Sequence, residues 1–196
     1  LERHGRNLLR EGNLKELNYW LEALPRPALA RSVTLCVLDA WSQLYLGDAL
    51  AAIRAIRAAE LALERLHSGG RAPAGLKTLR AELQILRTMS GVTRYDLPDV
   101  SGLKPELPQA FGPEDPLQRA YAWVVLGYAE RLAGHLDTAR GNYAEAVRIS
   151  DASEDTVVNL IARYNVAVVD FLRARPDIAA AELDYWLRDA RNRRWL

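Results

Sequence analysis

Apolar positions recur every three to four residues along most of this chain, in runs long enough for helices and separated by short breaks. In Tyr121–Ile149, YAWVVLGYAERLAGHLDTARGNYAEAVRI, the first run sets Trp123, Leu126 and Gly127 at i, i+3 and i+4, and the second sets Ala139, Tyr143 and Ala146 at i, i+4 and i+7. Each run therefore has one face suited to burial. Gly127 and Ala139 permit close helix approach, while Trp123 and Tyr143 fill the space on either side. Gly134, between the runs, can take the left-handed conformation that ends a helix without a Cβ penalty. The pattern predicts a helical hairpin closed by a short turn.

The unit recurs. Gly12, Gly47, Gly91 and Gly134 stand 35, 44 and 43 residues apart, and a further 42 lead to Pro176, where another run stops and restarts. Val33–Leu66 repeats the arrangement, with Ala40 before the turn at Gly47 and Ala52, Ile56 and Ala59 after it. Before it, Leu14, Leu17, Leu21 and Leu24 predict a single helix stopped by Pro25 and Pro27, so that the chain begins inside a hairpin. The last unit runs through Tyr164–Arg188, with Pro176 near a helix start and Ala181 and Tyr185 in the small and aromatic roles. Stacked hairpins of this kind bind partners along an inner surface, which points to recognition before catalysis.

One region breaks the pattern. Leu79, Leu83, Leu86 and Met89 mark a helix over Leu76–Met89, but after Gly91 the expected second helix is replaced by VTRYDLPDVSGLKPELPQAFGPEDPL, which holds five of the nine prolines. These interrupt any long helix, and 91–116 is predicted irregular within a single domain over 1–196. It is either a degenerate hairpin held by Tyr95, Leu97, Val100, Leu103, Leu107 and Phe111 or a mobile insert that reaches a ligand. The spread of apolar residues favours the ordered reading.

Composition changes this picture little. At 196 residues with 49% hydrophobic side chains the chain can bury a substantial core, distributed between neighbouring hairpins. The net charge of +1 gives no reason to expect nucleic-acid binding by this segment. Arg188, Arg191, Arg193 and Arg194 form the one dense basic cluster, a solvated terminal face or a docking patch. No apolar run reaches membrane-spanning length, the start lacks a secretory signal, and a cytoplasmic location is expected. The sequence lacks an initiator Met, so a fragment of a longer protein is expected.

Catalytic chemistry finds little support. Cys36 is the sole cysteine and sits in an apolar helix, where a packing role fits best. His4, His67 and His135 have no spacing that brings two to one metal. Gly69-Gly70 precede Arg71-Ala72-Pro73 without the lysine and hydroxyl of a phosphate loop. No catalytic or metal site and no cofactor in this segment are expected, and the chain is not read as an enzyme.

Trp123, Leu126-Gly127, Gly134, Ala139, Tyr143 and Ala146 resemble the tetratricopeptide-repeat pattern across Ala120–Ser153. Val33–Leu66 resembles it less fully, because Asp39-Ala40 stand where the pattern has Leu-Gly. The phrases YWLEALPRPALARSVTLCVLDAWSQLYLGDALAAIRAIRAAE and EDPLQRAYAWVVLGYAERLAGHLDTARGNYAEAVRISDAS look like the sensor region of MalT-like, ATP-dependent LuxR-family transcriptional regulators, over about the whole chain. The resemblance implies an all-α, tetratricopeptide-like right-handed superhelix of stacked antiparallel hairpins. It also implies an effector-sensing or regulatory protein-interaction role, with ATP and DNA handled by other modules. The alternative is a tetratricopeptide scaffold that binds a peptide or protein partner without a role in transcription.

In such repeats the first helix of each pair lines the groove. Carrying that over places Val37, Trp41, Leu44 and Tyr45, then Ala81, Ile85 and Thr88, then Tyr121, Val124, Tyr128 and Arg131, and last Arg163, Val166, Asp170 and Arg173 along the inner face. The core candidates are Trp41, Tyr45, Ile85, Tyr128, Arg131, Arg163, Asp170 and Arg173, for a small-molecule inducer or a peptide, with the neighbouring ATPase module of the same chain as the protein partner. Against this, Trp41 and Tyr45 at i and i+4 also suit packing. Arg163, Asp170 and Arg173 also suit a surface network among themselves.

Overall fold

A computed structural model describes residues 2–11, 13–68, 75–93, 100, 102–153 and 156–192. Gly12, Gly69 to Pro73, Tyr95, Leu97, Arg193 and Arg194, named above, lie outside the described residues. Among the described residues there are ten α-helices and no strand, and successive helices pack as hairpins. The chain divides into two compact units, Leu1–Ser101 and Gly102–Leu196, the division falling inside the Pro-rich stretch.

The first unit holds α1 (Glu2–Arg10), α2 (Leu14–Glu22), α3 (Arg26–Leu29), α4 (Val33–Tyr45), α5 (Ala49–Ser68) and α6 (Leu76–Thr93). Helix α4 is its centre and packs against α1, α2, α5 and α6. Its start is capped by Ser32, whose Oγ accepts from the Leu35 amide at 3.1 Å. Helix α1 corrects the expectation of a lone helix before Pro25. Its Leu8 and Leu9 are buried, and a Cβ on Gly5 would stand 2.7 Å from Leu38 Cδ1. Two leucines in nine residues are too few to show a period, and packing on α4 supplies the rest.

The second unit holds a 3₁₀ turn (Leu107–Ala110), α7 (Pro116–Leu132), α8 (Leu136–Ser153), α9 (Thr156–Leu172) and α10 (Pro176–Asn192). Consecutive helices pack in pairs, α9 also meets α7, and the 3₁₀ turn lies on α7. Leu107, Pro108 and Phe111 are buried, so this part of the irregular segment is ordered against its own unit. The segment starts later than expected: Gly91 lies within α6, which runs to Thr93.

Three hairpin turns share one geometry. Gly47, Gly134 and Ala174 take positive φ, at 79°, 83° and 59°. In each, the amide of this residue bonds the carbonyl three back, as from Gly134 to Arg131 at 3.1 Å. The next amide bonds the carbonyl five back: Asp48 to Gln43, His135 to Glu130 and Arg175 to Asp170. This is the double hydrogen bond of a left-handed helix cap. The third turn therefore centres on Ala174, not on Pro176, and every later position moves by two. Ala179 is buried where Ala181 had been expected, and the half-buried Leu183 takes the register given to Tyr185, while Ala181 and Tyr185 are exposed.

Within the central hairpin the glycine is obligatory. A Cβ on Gly127 would stand 2.5 Å from Tyr143 Cε1, and the enclosed Tyr143 ring meets Tyr128 edge-on at 5.8 Å. Counted from their turns, the other hairpins have Ala40 with Ile56 and Ala167 with Leu183 at these positions. A smaller partner leaves room for one more carbon.

Three outcomes are expected. Ala174→Gly relieves a left-handed alanine and should raise stability by about 0.5–1 kcal/mol, read from the urea midpoint. Gly127→Ala should lower it by about 2 kcal/mol. Adding Tyr143→Leu should recover at least about 1 kcal/mol relative to additivity in a double-mutant cycle.

Candidate functional site

The turn residues give a common register for the first helix of each hairpin. Tyr128 is six residues before Gly134 and Trp41 six before Gly47, and each is held by a side chain of the second helix after its own. Trp41 is fully enclosed, and its Nε1 donates to Glu82 Oε1 of α6 at 3.2 Å. The same buried carboxylate takes a two-pronged ion pair from Arg6 of α1, one prong at 2.7 Å and the other shorter. Tyr128 accepts from Asn165 Nδ2 of α9 at 3.2 Å. Ile85 is enclosed like Trp41, while Tyr45 stays half-buried.

Arg131 lies with its guanidinium carbon 5.2 Å from the Tyr128 ring centre, a cation–π contact. Burial raises the Tyr128 phenol above its ordinary value, opposed by the Asn165 hydrogen bond and the Arg131 charge. Tyr143 is raised more strongly by the same burial, and the Arg131 charge opposes that too. Neither Arg131 Nε nor Tyr143 OH closes a hydrogen bond of good geometry, although both atoms are buried.

Arg163, Asp170 and Arg173 do not pair with one another. Each reaches a neighbouring helix. Arg163 meets Asp151 of α8 at 2.9 Å and Asn159 at 3.0 Å, with Glu182 of α10 at 3.7 Å. The buried Asp170 carboxylate takes Arg140 Nε of α8 at 2.9 and 3.0 Å, and Arg173 meets Asp137 of α8 at 2.5 Å. These three line the α8–α9 seam, which corrects the idea of a network confined to α9. The cause is the two-residue register shift, because α-helical positions turn by about 100° per residue.

With the register counted from Ala174, the positions matching Leu117, Ala120, Val124, Tyr128 and Arg131 are Val157, Leu160, Tyr164, Val168 and Phe171. On α7 the first four are buried, and on α4 Val33, Val37, Trp41 and Leu44, which match the last four, are buried too. On α9 the stripe is open: Tyr164 is 56% and Phe171 64% exposed, Val157 and Leu160 are exposed, and Val168 is half-buried. This is a continuous apolar strip about 21 Å long. The spacing i, i+3, i+7, i+11 and i+14 was present in the sequence, but the alanine at the turn concealed its phase.

Reactive chemistry is subdued elsewhere. Cys36 is enclosed and donates to the Leu29 carbonyl at 3.3 Å. Burial, with the Asp39 charge second, pushes its thiol up to about 11, which suppresses thiolate at neutral pH. Among the described residues no group of three His, Cys, Asp or Glu is placed to hold a metal ion. None of their helices is long and apolar enough to cross a membrane.

The fold defines a class, an all-α architecture of stacked helical hairpins in the manner of a helical repeat. No protein-family model matches the chain, and neither does any curated protein or solved structure.

The two sides of α9 should respond differently to substitution. Arg140→Met leaves Asp170 buried without its cation and should lower stability by about 3 kcal/mol. Tyr164→Ser on the open side should change it by less than about 0.5 kcal/mol, both read from urea unfolding.

Proposed function

We propose that this chain is a regulatory protein-interaction module that receives an amphipathic helix along the open strip of α9. The observation that carries this is the contrast between matching helices: α4 packs against α6 and α7 against α9, while the strip on α9 is bare. The occupant that reproduces the covered state is another helix, with an apolar face for Tyr164 and Phe171 and a polar group at its edge. Helix-in-groove binding of this kind uses anchors at the i, i+3 and i+7 spacing found on α9. The resemblance to MalT-like sensor regions supports placing the module in an ATP-dependent LuxR-type transcriptional regulator in the cytoplasm, with an adjoining ATPase module as the protein neighbour.

A second reading, inducer sensing at Tyr128 and Arg131, draws on two buried atoms there that close no hydrogen bond of good geometry, Arg131 Nε and Tyr143 OH. Hydrogen exchange separates the readings. We expect new protection over Val157–Phe171 on adding the ATPase module, lost in the Tyr164→Lys/Phe171→Lys variant while its unfolding midpoint stays within about 0.5 kcal/mol of the parent. Protection around Tyr128–Arg131 by a sugar or amino acid, with α9 unchanged by the module, would overturn the interaction reading.

A further inference from the structure

One hairpin departs from the repeat at a position that the interaction surface does not use. Eight residues before the turn, α7 has Leu126 and α9 has Val166, both buried aliphatics. At the same register α4 has Asp39, just as enclosed at 7% exposure. A carboxylate in an aliphatic position carries a desolvation penalty that must be offset by partners.

The partners of Asp39 are thin. Its Oδ1 accepts one neutral hydrogen bond, from Gln43 Nε2 at 3.1 Å. The nearest cation is Arg26, 3.7 Å from Oδ2, with a side chain 73% exposed to solvent. That distance is beyond a hydrogen bond, and so exposed a pair contributes little. The other two buried carboxylates among the described residues, Glu82 and Asp170, each take close charged contacts from an arginine of another helix. The Asp39 charge also reaches the neighbouring Cys36 thiol, which it raises second to burial.

Asp39 lines an open cavity of about 560 Å³, bounded by the end of α2, by α3, α4 and the start of α5. Glu22 and Asp48 add two carboxylates to its lining, and Leu29 and Ala55 add apolar wall. Arg26 and Arg54 also line it. A volume in this range accommodates a small molecule. Three carboxylates and an apolar wall select for charge and for an aliphatic stem together.

We infer that this cavity binds a small organic cation, an ammonium or guanidinium head on an aliphatic stem, with Asp39 as its counter-ion. The head supplies the charged hydrogen bonds that Arg26 does not reach, and Arg26 moves aside into solvent, where most of it already lies. Arg54 is placed to take a carboxylate if the ligand has one. The site belongs to the first unit and is independent of the α9 strip.

The test is calorimetric titration of the whole chain with arginine, lysine, agmatine and putrescine, with norleucine and glutamate as controls. We expect at least one cation to bind with a Kd of about 1 mM or tighter and neither control to bind. Arginine or lysine tighter than agmatine or putrescine would assign the carboxylate contact to Arg54, while the reverse would keep the cation site and leave Arg54 out. Asp39→Asn should weaken binding about ten- to a hundredfold. Asp39→Leu, which restores the residue class of the other hairpins, should abolish binding while raising the unfolding midpoint, so loss of the site is separable from loss of the fold. Absence of binding by all four cations, or unchanged affinity in a folded Asp39 variant, would overturn the proposal.

Discussion

The left-handed residue that closes each hairpin sets the phase of everything around it. Once Gly47, Gly134 and Ala174 are fixed as the turn, a residue a given number of places back faces the partner helix, the neighbouring hairpin or open space. A slip of two places carries a side chain through about 200°, to the far side of the helix. That rotation separates the two accounts of α9. Counted from Pro176, Arg163, Asp170 and Arg173 occupy the groove; counted from Ala174, they bind α8 and α10 while Tyr164 and Phe171 face out.

Close packing reinforces the phase. Tyr143 fills the central hairpin only because Gly127 removes the carbon it would strike, and its ring then supports Tyr128, whose phenol oxygen meets Asn165 of α9. One small residue thus connects the inside of a hairpin to the stacking of the next. In the first unit the corresponding link is Trp41 to Glu82, with Arg6 supplying charge from α1. Chemically the two links differ, a neutral tyrosine–asparagine contact in one and a buried carboxylate in the other. Their positions in the repeat are the same.

Buried carboxylates distinguish structural from available charge. Glu82 and Asp170 each close an arginine pair across helices, and such pairs confer register more readily than net stability. Asp39 has the same burial without the same closure, and it faces a cavity. The open strip of α9 is the apolar counterpart, a surface built like its covered equivalents and left without a helix upon it.

The number and placing of most helices were legible in the sequence because they rest on local physics. A 3.6-residue apolar period, glycines able to adopt positive φ and prolines that cannot continue a helix predict α4 through α8 and the hairpin turns at Gly47 and Gly134. The tetratricopeptide-like pairing of Ala139 with Tyr143 and Ala146 was equally local. The tertiary structure decided the rest. It made a helix of Glu2–Arg10 by packing Leu8 and Leu9, carried α6 through Gly91, and held Ala174 in a conformation that its side chain disfavours. It also decided which polar groups are enclosed, because Asp39, Glu82 and Asp170 are ordinary helical carboxylates until another helix covers them. Periodicity identifies a face, but only the packed neighbours determine whether that face is core, seam or open surface.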